Sequence, residues 1–289
     1  MDPIIARKTW RTVEPLHMMI YFAPEAFDAY GELGVTDWPA GYFGSRSAAL
    51  GVVAPEVVIA TFFNFHPALV RRSLAVVWEA TTPEAMLDAR TSAADRALRR
   101  LLGDDGVTSS EMAAVAELTR RAADAACDHV VGRPLFAAHA ALPWPDEPHL
   151  VAWHAQTLLR EFRGDGHIAA LVSHGVGPLE ALILHAATGE VNDDALRSSR
   201  AWPEHDWNAA VERLRSHGLL APGPSIAFTD AGREERDRIE HATDVTALAA
   251  YENLGEEACE QLRAIARPFS RRIVEGGALA GTPLNAPGQ

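Results

Sequence analysis

Cysteine, long apolar runs and excess positive charge are all scarce in this chain of 289 residues. Cys127 and Cys259 are too few and too far apart for a disulfide framework or a zinc-finger pattern, which favours a reducing compartment. No stretch approaches about 18 uninterrupted apolar residues, and the N-terminus has no apolar run of the signal-peptide type. We therefore predict a cytoplasmic protein without a membrane segment.

Motifs for metals and cofactors are also missing. The chain has 12 histidines, but none form an HxxxH, HExxH or CxxC-like ligand pair. There is no GxGxxG after a strand, no GxxxxGK[ST] and no GxSxG. We predict neither a metal nor a cofactor.

The formal net charge is −13, and a nucleic-acid partner needs a basic surface to displace counterions from phosphates. The net charge therefore argues against nucleic acid as a partner, although an acidic protein can still carry a local basic patch.

What the chain does contain is helix-forming sequence and an apparent internal repeat. Alanine is abundant and β-branched runs are few, so the fold class is predicted to be mainly α. Residues 14–17 (EPLH) correspond to 147–150 (EPHL), and residues 82–84 (TPE) to 202–204 (WPE), in the same order along the chain. This pattern predicts two winged-helix-like domains in an internal pseudo-twofold repeat.

The predicted domain boundary lies in residues 142–148, LPWPDEP, where three prolines exclude a helix. The first domain, residues 1–141, is a wing-less helical repeat. The second, residues 142–289, carries a winged helix and a C-terminal helix. A buried stripe in residues 203–217 is followed by a turn, a short β-ribbon at 219–228 and the helix start TDAGR. This portion resembles the wing region of MarR-type proteins.

Over nearly its full length the chain resembles an uncharacterised actinobacterial helix-turn-helix family described as SalK-like. The resemblance is carried by EPLH at 14–17, YFAPEA at 21–26, GYFGSR at 41–46, the segment 142–149, and RGDGH at 163–167. It implies a fold that contains a winged helix, and it implies no established activity.

RGDGH is the sharpest local signal for chemistry. Its two glycines predict a tight turn between two helices that presents Arg163, Asp165 and His167 together. Asp165 would orient His167 as a general acid or base, and Arg163 would grip a carboxylate or phenolate. The alternative interpretation is structural, with Asp165 capping a helix that begins at His167 and Arg163 in an ion pair.

The equivalent junction of the first repeat holds Tyr42, Phe43 and Arg46. Pseudo-symmetry predicts that these residues face residues 163–167 across a cleft, where they would form a ligand pocket. The remaining ligand-binding candidates are polar or aromatic residues at helix ends or on matching helix faces of the two repeats. The alternative for each of them is a structural role in the core. They are His17, Tyr21, Asn64, His66, His149, Trp153 and His154.

These observations favour binding of a small aromatic or polyketide-like molecule, with cofactor-independent acid/base catalysis left open. The alternative is a ligand-responsive regulator of the MarR type. Against DNA binding, the predicted recognition helix opens with Glu204 and Asp206, and only Arg213 and Arg215 are basic. We expect a monomer or a weak homodimer, because the helix at 255–274 is predicted to pack with the helix at 109–131 within one chain.

Overall fold

A computed structural model describes residues 1–279. This part of the chain contains fifteen α-helices and two short 3₁₀ turns, at Met19–Tyr21 and Ala48–Leu50. The helices are α1 (Pro3–Met18), α2 (Pro24–Glu32), α3 (Trp38–Ser47), α4 (Pro55–Phe62), α5 (Pro67–Ala80), α6 (Pro83–Val107), α7 (Ser110–Cys127), α8 (Pro134–Ala140), α9 (Pro148–Ser173), α10 (Pro178–Ala186), α11 (Asp193–Arg200), α12 (Glu204–Ser216), α13 (Asp230–Ala247), α14 (Ala249–Glu252) and α15 (Glu256–Glu275). The predicted mainly α fold class is confirmed.

Prolines and hydroxyl caps set many of the helix starts. The Ser109 hydroxyl accepts a hydrogen bond from the Met112 amide (3.1 Å), and the Thr229 hydroxyl accepts one from the Gly232 amide (3.0 Å). The sequence analysis placed a helix start at both positions. Within α6 the backbone breaks at Gly103, where φ is +73°, a conformation that glycine adopts at little cost.

Helix α9 differs from the prediction. Residues 163–167 are not a turn between two helices, because α9 runs without interruption from Pro148 to Ser173. Gly166 allows close packing against α13: a Cβ atom there would lie 2.6 Å from Thr246 Oγ1 and 2.8 Å from Arg133 Nη1. The glycine therefore serves helix packing and not a chain reversal.

The main apolar core surrounds α9. This helix packs against α1, α7, α8 and α13, and a single buried cluster combines Leu16, Leu98 and Trp153 with Leu262 of α15. Helix α15 packs against α1 and α7, so the predicted pairing of the C-terminal helix with the helix at 109–131 is confirmed. The monomeric state itself stays a prediction.

A second apolar cluster joins α10, α11, α12 and α13. The predicted β-ribbon between α12 and α13 is reduced to one isolated antiparallel bridge, between Leu220 and Phe228, and residues 1–279 contain no strand. Gly232 allows the start of α13 to pack closely against this connection, because a Cβ atom at position 232 would overlap the carbonyl oxygen of Leu219. The division at residues 141 and 142 and the pseudo-twofold repeat stay predictions.

No single helix within residues 1–279 has both the length and the hydropathy to cross a membrane. In two places, two consecutive helices meet these criteria only when they are counted as one segment. The chain bends between the two helices by 101° in the first pair and by 103° in the second.

Candidate functional site

A cavity of about 360 Å³ lies between α3 and α4 of the first half of the chain and α9, α10, α11 and α13 of the second half. We call it the α4–α9 cavity. Its lining residues are Arg46, Thr61, Phe62, Phe63, Asn64, Glu161, Gly164, Asp165, His167, Ile168, Leu171, Ala181, Leu182, His185, Leu196, Arg200 and Arg236. A second hollow, beside Tyr30 and Tyr42, measures about 20 Å³ and has room for about one water molecule.

An ion pair across the two halves forms one wall of the cavity. Arg46 donates to Glu161 through Nη2 (2.8 Å to Oε2) and Nε (3.2 Å to Oε1), and its Nη1 donates to the Tyr42 hydroxyl (2.7 Å). Burial by itself would raise the pKa of Glu161, but Arg46 and Arg160 outweigh it and hold that pKa below its usual range. Glu161 is therefore ionised and already forms an ion pair with Arg46.

Asp165 follows one helical turn after Glu161. Its Oδ2 accepts a hydrogen bond from the Phe136 amide (3.0 Å), so it caps the first turn of α8 rather than a helix starting at His167. The predicted cap position is thus corrected, because α9 does not end before His167. Burial is the main cause that raises the pKa of Asp165 from 3.8 to about 6, and the nearby Glu161 adds to it.

His167 is oriented by Thr243 and not by Asp165. The Thr243 hydroxyl donates to the Ile239 carbonyl (2.8 Å), so it accepts from Nδ1–H of His167 (2.8 Å). The Asp165–His167 pair predicted from sequence is corrected, since Asp165 is bonded to the Phe136 amide. Burial lowers the pKa of His167 to about 4, so the ring is neutral and Nε2 is its free acceptor.

Arg163 lies outside the α4–α9 cavity. It donates to Asp244 (2.8 Å) and Glu240 (3.3 Å), and its guanidinium carbon lies 5.1 Å from the ring centre of Trp10. Residues 163 and 165 are about 200° apart around a continuous helix, so they face different neighbours. Arg163 therefore forms an ion pair between α9 and α13, as the structural alternative proposed.

His17 and Tyr21 form a core network away from the cavity. Thr157 donates to the Trp153 carbonyl (3.0 Å) and accepts from His17 Nδ1 (2.9 Å), so His17 Nε2 accepts from the Tyr21 hydroxyl (2.9 Å). Every polar atom of the His17 ring has a partner. Burial is the main cause that lowers the pKa of His17 far below its usual range.

The other predicted ligand-binding residues occupy several places. Asn64 lines the cavity; Tyr42 lies behind Arg46, and Phe43 is buried in an aromatic cluster with Phe62. The following residues do not line the cavity: His66, which caps α5; His149, which contacts Asp95 (2.6 Å); Trp153, buried beside His17; and His154, packed edge-on against Trp144.

Arg200 and His185 are cavity residues that the sequence analysis missed. Nη1 of Arg200 donates to the Ser199 hydroxyl (2.8 Å), whereas its Nε is buried without a hydrogen-bond partner, and no carboxylate among residues 1–279 forms an ion pair with the guanidinium. Arg236, in contrast, contacts Glu240 at 2.8 Å. Burial lowers the pKa of His185 and keeps it neutral. Both residues lie in ordinary amphipathic helices, so only their position in the fold reveals them.

The loop that holds Asn64 is bonded to the turn between α11 and α12. Nε1 of Trp202 donates to the Asn64 carbonyl (2.9 Å), and the His66 amide donates to the Arg200 carbonyl (3.0 Å). The His66 and Trp202 rings contact each other edge-on, 5.0 Å apart. This turn therefore forms one unit with the cavity wall.

Helix α10 packs against both α11 and α12, and α12 is followed by the bridged connection to α13. A family model described as a helix-turn-helix family matches residues 6–280. The chain belongs to this helix-turn-helix family. No curated protein and no solved structure matches it significantly.

The two arginines of α12 form contacts within the protein, and the first turn of this helix is acidic. Arg213 pairs with Glu180 (2.6 Å), and Arg215 pairs with Glu212 (2.6 Å) and donates to the Gly223 carbonyl. The N-terminal turn of α12 holds Glu204 and Asp206. Both arginines are therefore engaged within the protein.

The cavity combines groups suited to anion binding and proton transfer. Arg200 is a cation without a carboxylate partner, His167 and His185 are neutral, and the pKa of Asp165 lies nearer neutrality than that of an exposed carboxyl. Such a set suits general acid–base chemistry, which needs groups whose protonation states differ. No group of three His, Cys, Asp or Glu residues within 1–279 has the arrangement to hold a metal ion.

Proposed function

We propose that the α4–α9 cavity binds a small aromatic or polyketide-like molecule that carries a carboxylate or a phenolate. The observation that supports this proposal is the guanidinium of Arg200, which lines the cavity and has no carboxylate partner among residues 1–279. An arginine stays charged in proteins, and a partly buried charge without a countercharge is costly. A ligand anion would satisfy it with charge-assisted hydrogen bonds.

The rest of the lining fits the body of such a ligand. Phe62, Ile168, Leu171 and Leu182 supply apolar surface, and the volume of about 360 Å³ lies within the range of small-molecule sites. Nε2 of His167 is an acceptor for a ligand hydroxyl. One cation, one acceptor and an apolar wall would fix both the position and the orientation of a flat molecule.

The test uses salicylate as an anionic probe and salicylamide as its neutral counterpart, measured by isothermal titration calorimetry. A hydrogen bond to a charged group contributes roughly 1.5–3 kcal/mol, so we expect salicylate to bind about 10–100-fold more tightly than salicylamide. Arg200→Met should remove this preference.

Arg197→Met is the matched control, because Arg197 lies on the same helix and pairs with Asp194 (2.8 Å) outside the cavity. It should keep the preference for salicylate. Equal binding of both probes to the unchanged protein would contradict the proposal.

The second candidate is a ligand-responsive regulator, which the match to a helix-turn-helix family favours. This second proposal also includes the resemblance of the chain to SalK-like proteins and of its winged-helix portion to MarR-type proteins. In that case the acidic start of α12 would have to be compensated elsewhere, because phosphate contacts come chiefly from unpaired basic groups.

A gel shift with DNA from upstream of the chain's own gene distinguishes the two candidates. We expect no sequence-specific complex at physiological salt, since Arg213 and Arg215 are engaged with Glu180 and Glu212. A specific complex that Arg213→Ala weakens would instead establish the regulator.

A further inference from the structure

Unusual backbone conformations occur in two loops that meet beside the α4–α9 cavity. Within residues 1–279, the non-glycine residues with a positive φ are Phe63, at +55°, and Ala201, at +57°. The Asn64 amide donates to the Phe62 carbonyl (2.7 Å) and ψ of Phe63 is −65°, so Phe63 is the centre of a γ-turn of the rare, strained kind. Residues other than glycine adopt a positive φ only where the surrounding structure enforces it. The contacts of these two loops must therefore offset the strain.

The two loops are hydrogen-bonded to each other on both sides of Phe65. Before this residue, the Asn64 carbonyl accepts from Nε1 of Trp202 (2.9 Å). After it, the His66 amide donates to the Arg200 carbonyl (3.0 Å). Phe65 itself is buried in the apolar cluster formed by α3, α4 and α5. The position of its ring relative to residues 200–202 is therefore fixed by the backbone on either side and by the core beneath it.

The ring of Phe65 lies against the guanidinium of Arg200. The guanidinium carbon is 4.6 Å from the ring centre, which is within the range of a cation–π contact. Nη1 of Arg200 donates to the Ser199 hydroxyl (2.8 Å), and its Nε is buried. Its Nη2 makes no hydrogen bond within residues 1–279 and is not fully buried, so this nitrogen remains open to a ligand in the cavity.

We propose that Phe65 and Trp202 are positioning residues, which direct Nη2 of Arg200 to the anionic group of the ligand; this inference rests on the proposed function of the cavity. Phe65 covers one face of the guanidinium, and Trp202 holds the loop that carries Phe65. A charge-assisted hydrogen bond depends on the direction of its donor, so an arginine held in one place distinguishes an anionic ligand from a neutral one more strongly than a mobile arginine does. The strained turns at Phe63 and Ala201 persist because they bring these residues together.

Trp202→Phe tests the hydrogen bond to the loop, because it keeps an aromatic ring and removes Nε1. Isothermal titration calorimetry of the full chain with salicylate and salicylamide measures the preference for the anion. We expect this preference to fall about fivefold, since a hydrogen bond of ordinary strength corresponds to a factor of this size. The affinity for salicylamide should not change, because the neutral ligand makes no charge-assisted bond to Arg200. A merely structural role would instead weaken the binding of both ligands alike.

Trp38→Phe is the matched control. Trp38 is also partly buried, its Nε1 also donates to a backbone carbonyl, that of Tyr21 (3.2 Å), and it does not line the α4–α9 cavity. This variant should keep the full preference for salicylate. Phe65→Leu is a second test variant, which removes the ring and keeps an apolar side chain, and it should lower the preference as Trp202→Phe does. If both test variants keep the preference of the unchanged protein, these residues do not position Arg200.

A second measurement needs no ligand. The guanidinium of Arg200 lies over the ring of Phe65, so the ring current shifts the NMR signal of the adjacent Nε–H group, which Arg200→Met identifies. We expect this signal to move toward that of a free arginine in Trp202→Phe and to stay in place in Trp38→Phe. An unchanged signal in Trp202→Phe would overturn the positioning inference. Equal binding of salicylate and salicylamide to the unchanged protein would contradict the proposed function, and the NMR signal would still decide whether Arg200 is held in place.

Discussion

At the scale of single residues, Asp165 and Gly166 are adjacent in α9 and meet different elements. Asp165 lines the α4–α9 cavity and accepts from the Phe136 amide of α8. Gly166 faces Thr246 at the end of α13. A substitution of Asp165 therefore tests the electrostatics of the cavity, and a substitution of Gly166 tests the packing of α9 against α13.

The raised pKa of Asp165 makes stability depend on pH. Between pH 3.8, where the exposed carboxyl titrates, and about pH 6, the folded protein keeps a proton that the unfolded chain has lost. The stabilisation from this protonated group is complete below that window and is lost as pH rises through it. Asp165→Asn cannot ionise, and its amide oxygen can still accept from the Phe136 amide.

The free energy of unfolding of Asp165→Asn, relative to the unchanged protein, should therefore increase by about 2–3 kcal/mol from pH 4 to pH 7. Urea unfolding at several pH values measures this difference. Asp105→Asn, at an exposed position on α6, should show a nearly constant difference. A constant difference for Asp165→Asn as well would mean that folding does not raise the pKa of Asp165.

At the scale of elements, α9 is the helix that the sequence described least well. Its start at Pro148 follows from the proline-rich segment before it, and its apolar residues predicted a helix. The glycines at 164 and 166 suggested a turn, yet each costs only about 1 kcal/mol in a helix. Burial against α1, α7, α8 and α13 outweighs that cost, and only the fold reveals those neighbours.

Two glycines in α9 provide a matched comparison. Gly166→Ala should destabilise the protein by about 1–3 kcal/mol, because the new Cβ atom would meet Thr246 and Arg133. Gly164→Ala should stabilise it by up to about 1 kcal/mol, since its nearest neighbour would be Glu161 Oε2 at 3.7 Å. Urea unfolding gives both values. Similar effects at both positions would show that α13 yields to the extra methyl group.

At the scale of the whole molecule, the sequence predicted part of the candidate site. The expectation that Arg46 would face Asp165 and His167 agrees with the lining of the cavity. Arg163 was grouped with them because a turn was assumed; in a continuous helix it points to Asp244. Arg200 was missed because no local sequence pattern shows that it lines the cavity without a carboxylate partner.

The hydrogen bond between Trp202 and the Asn64 carbonyl has a consequence for motion. Asn64 belongs to the wall that a ligand would touch, and Trp202 begins the turn into α12. A ligand that displaces this wall must either carry α12 with it or break the bond. The wall of the cavity and the turn into α12 are thus mechanically coupled, and a ligand that moved this wall would also shift the start of α12.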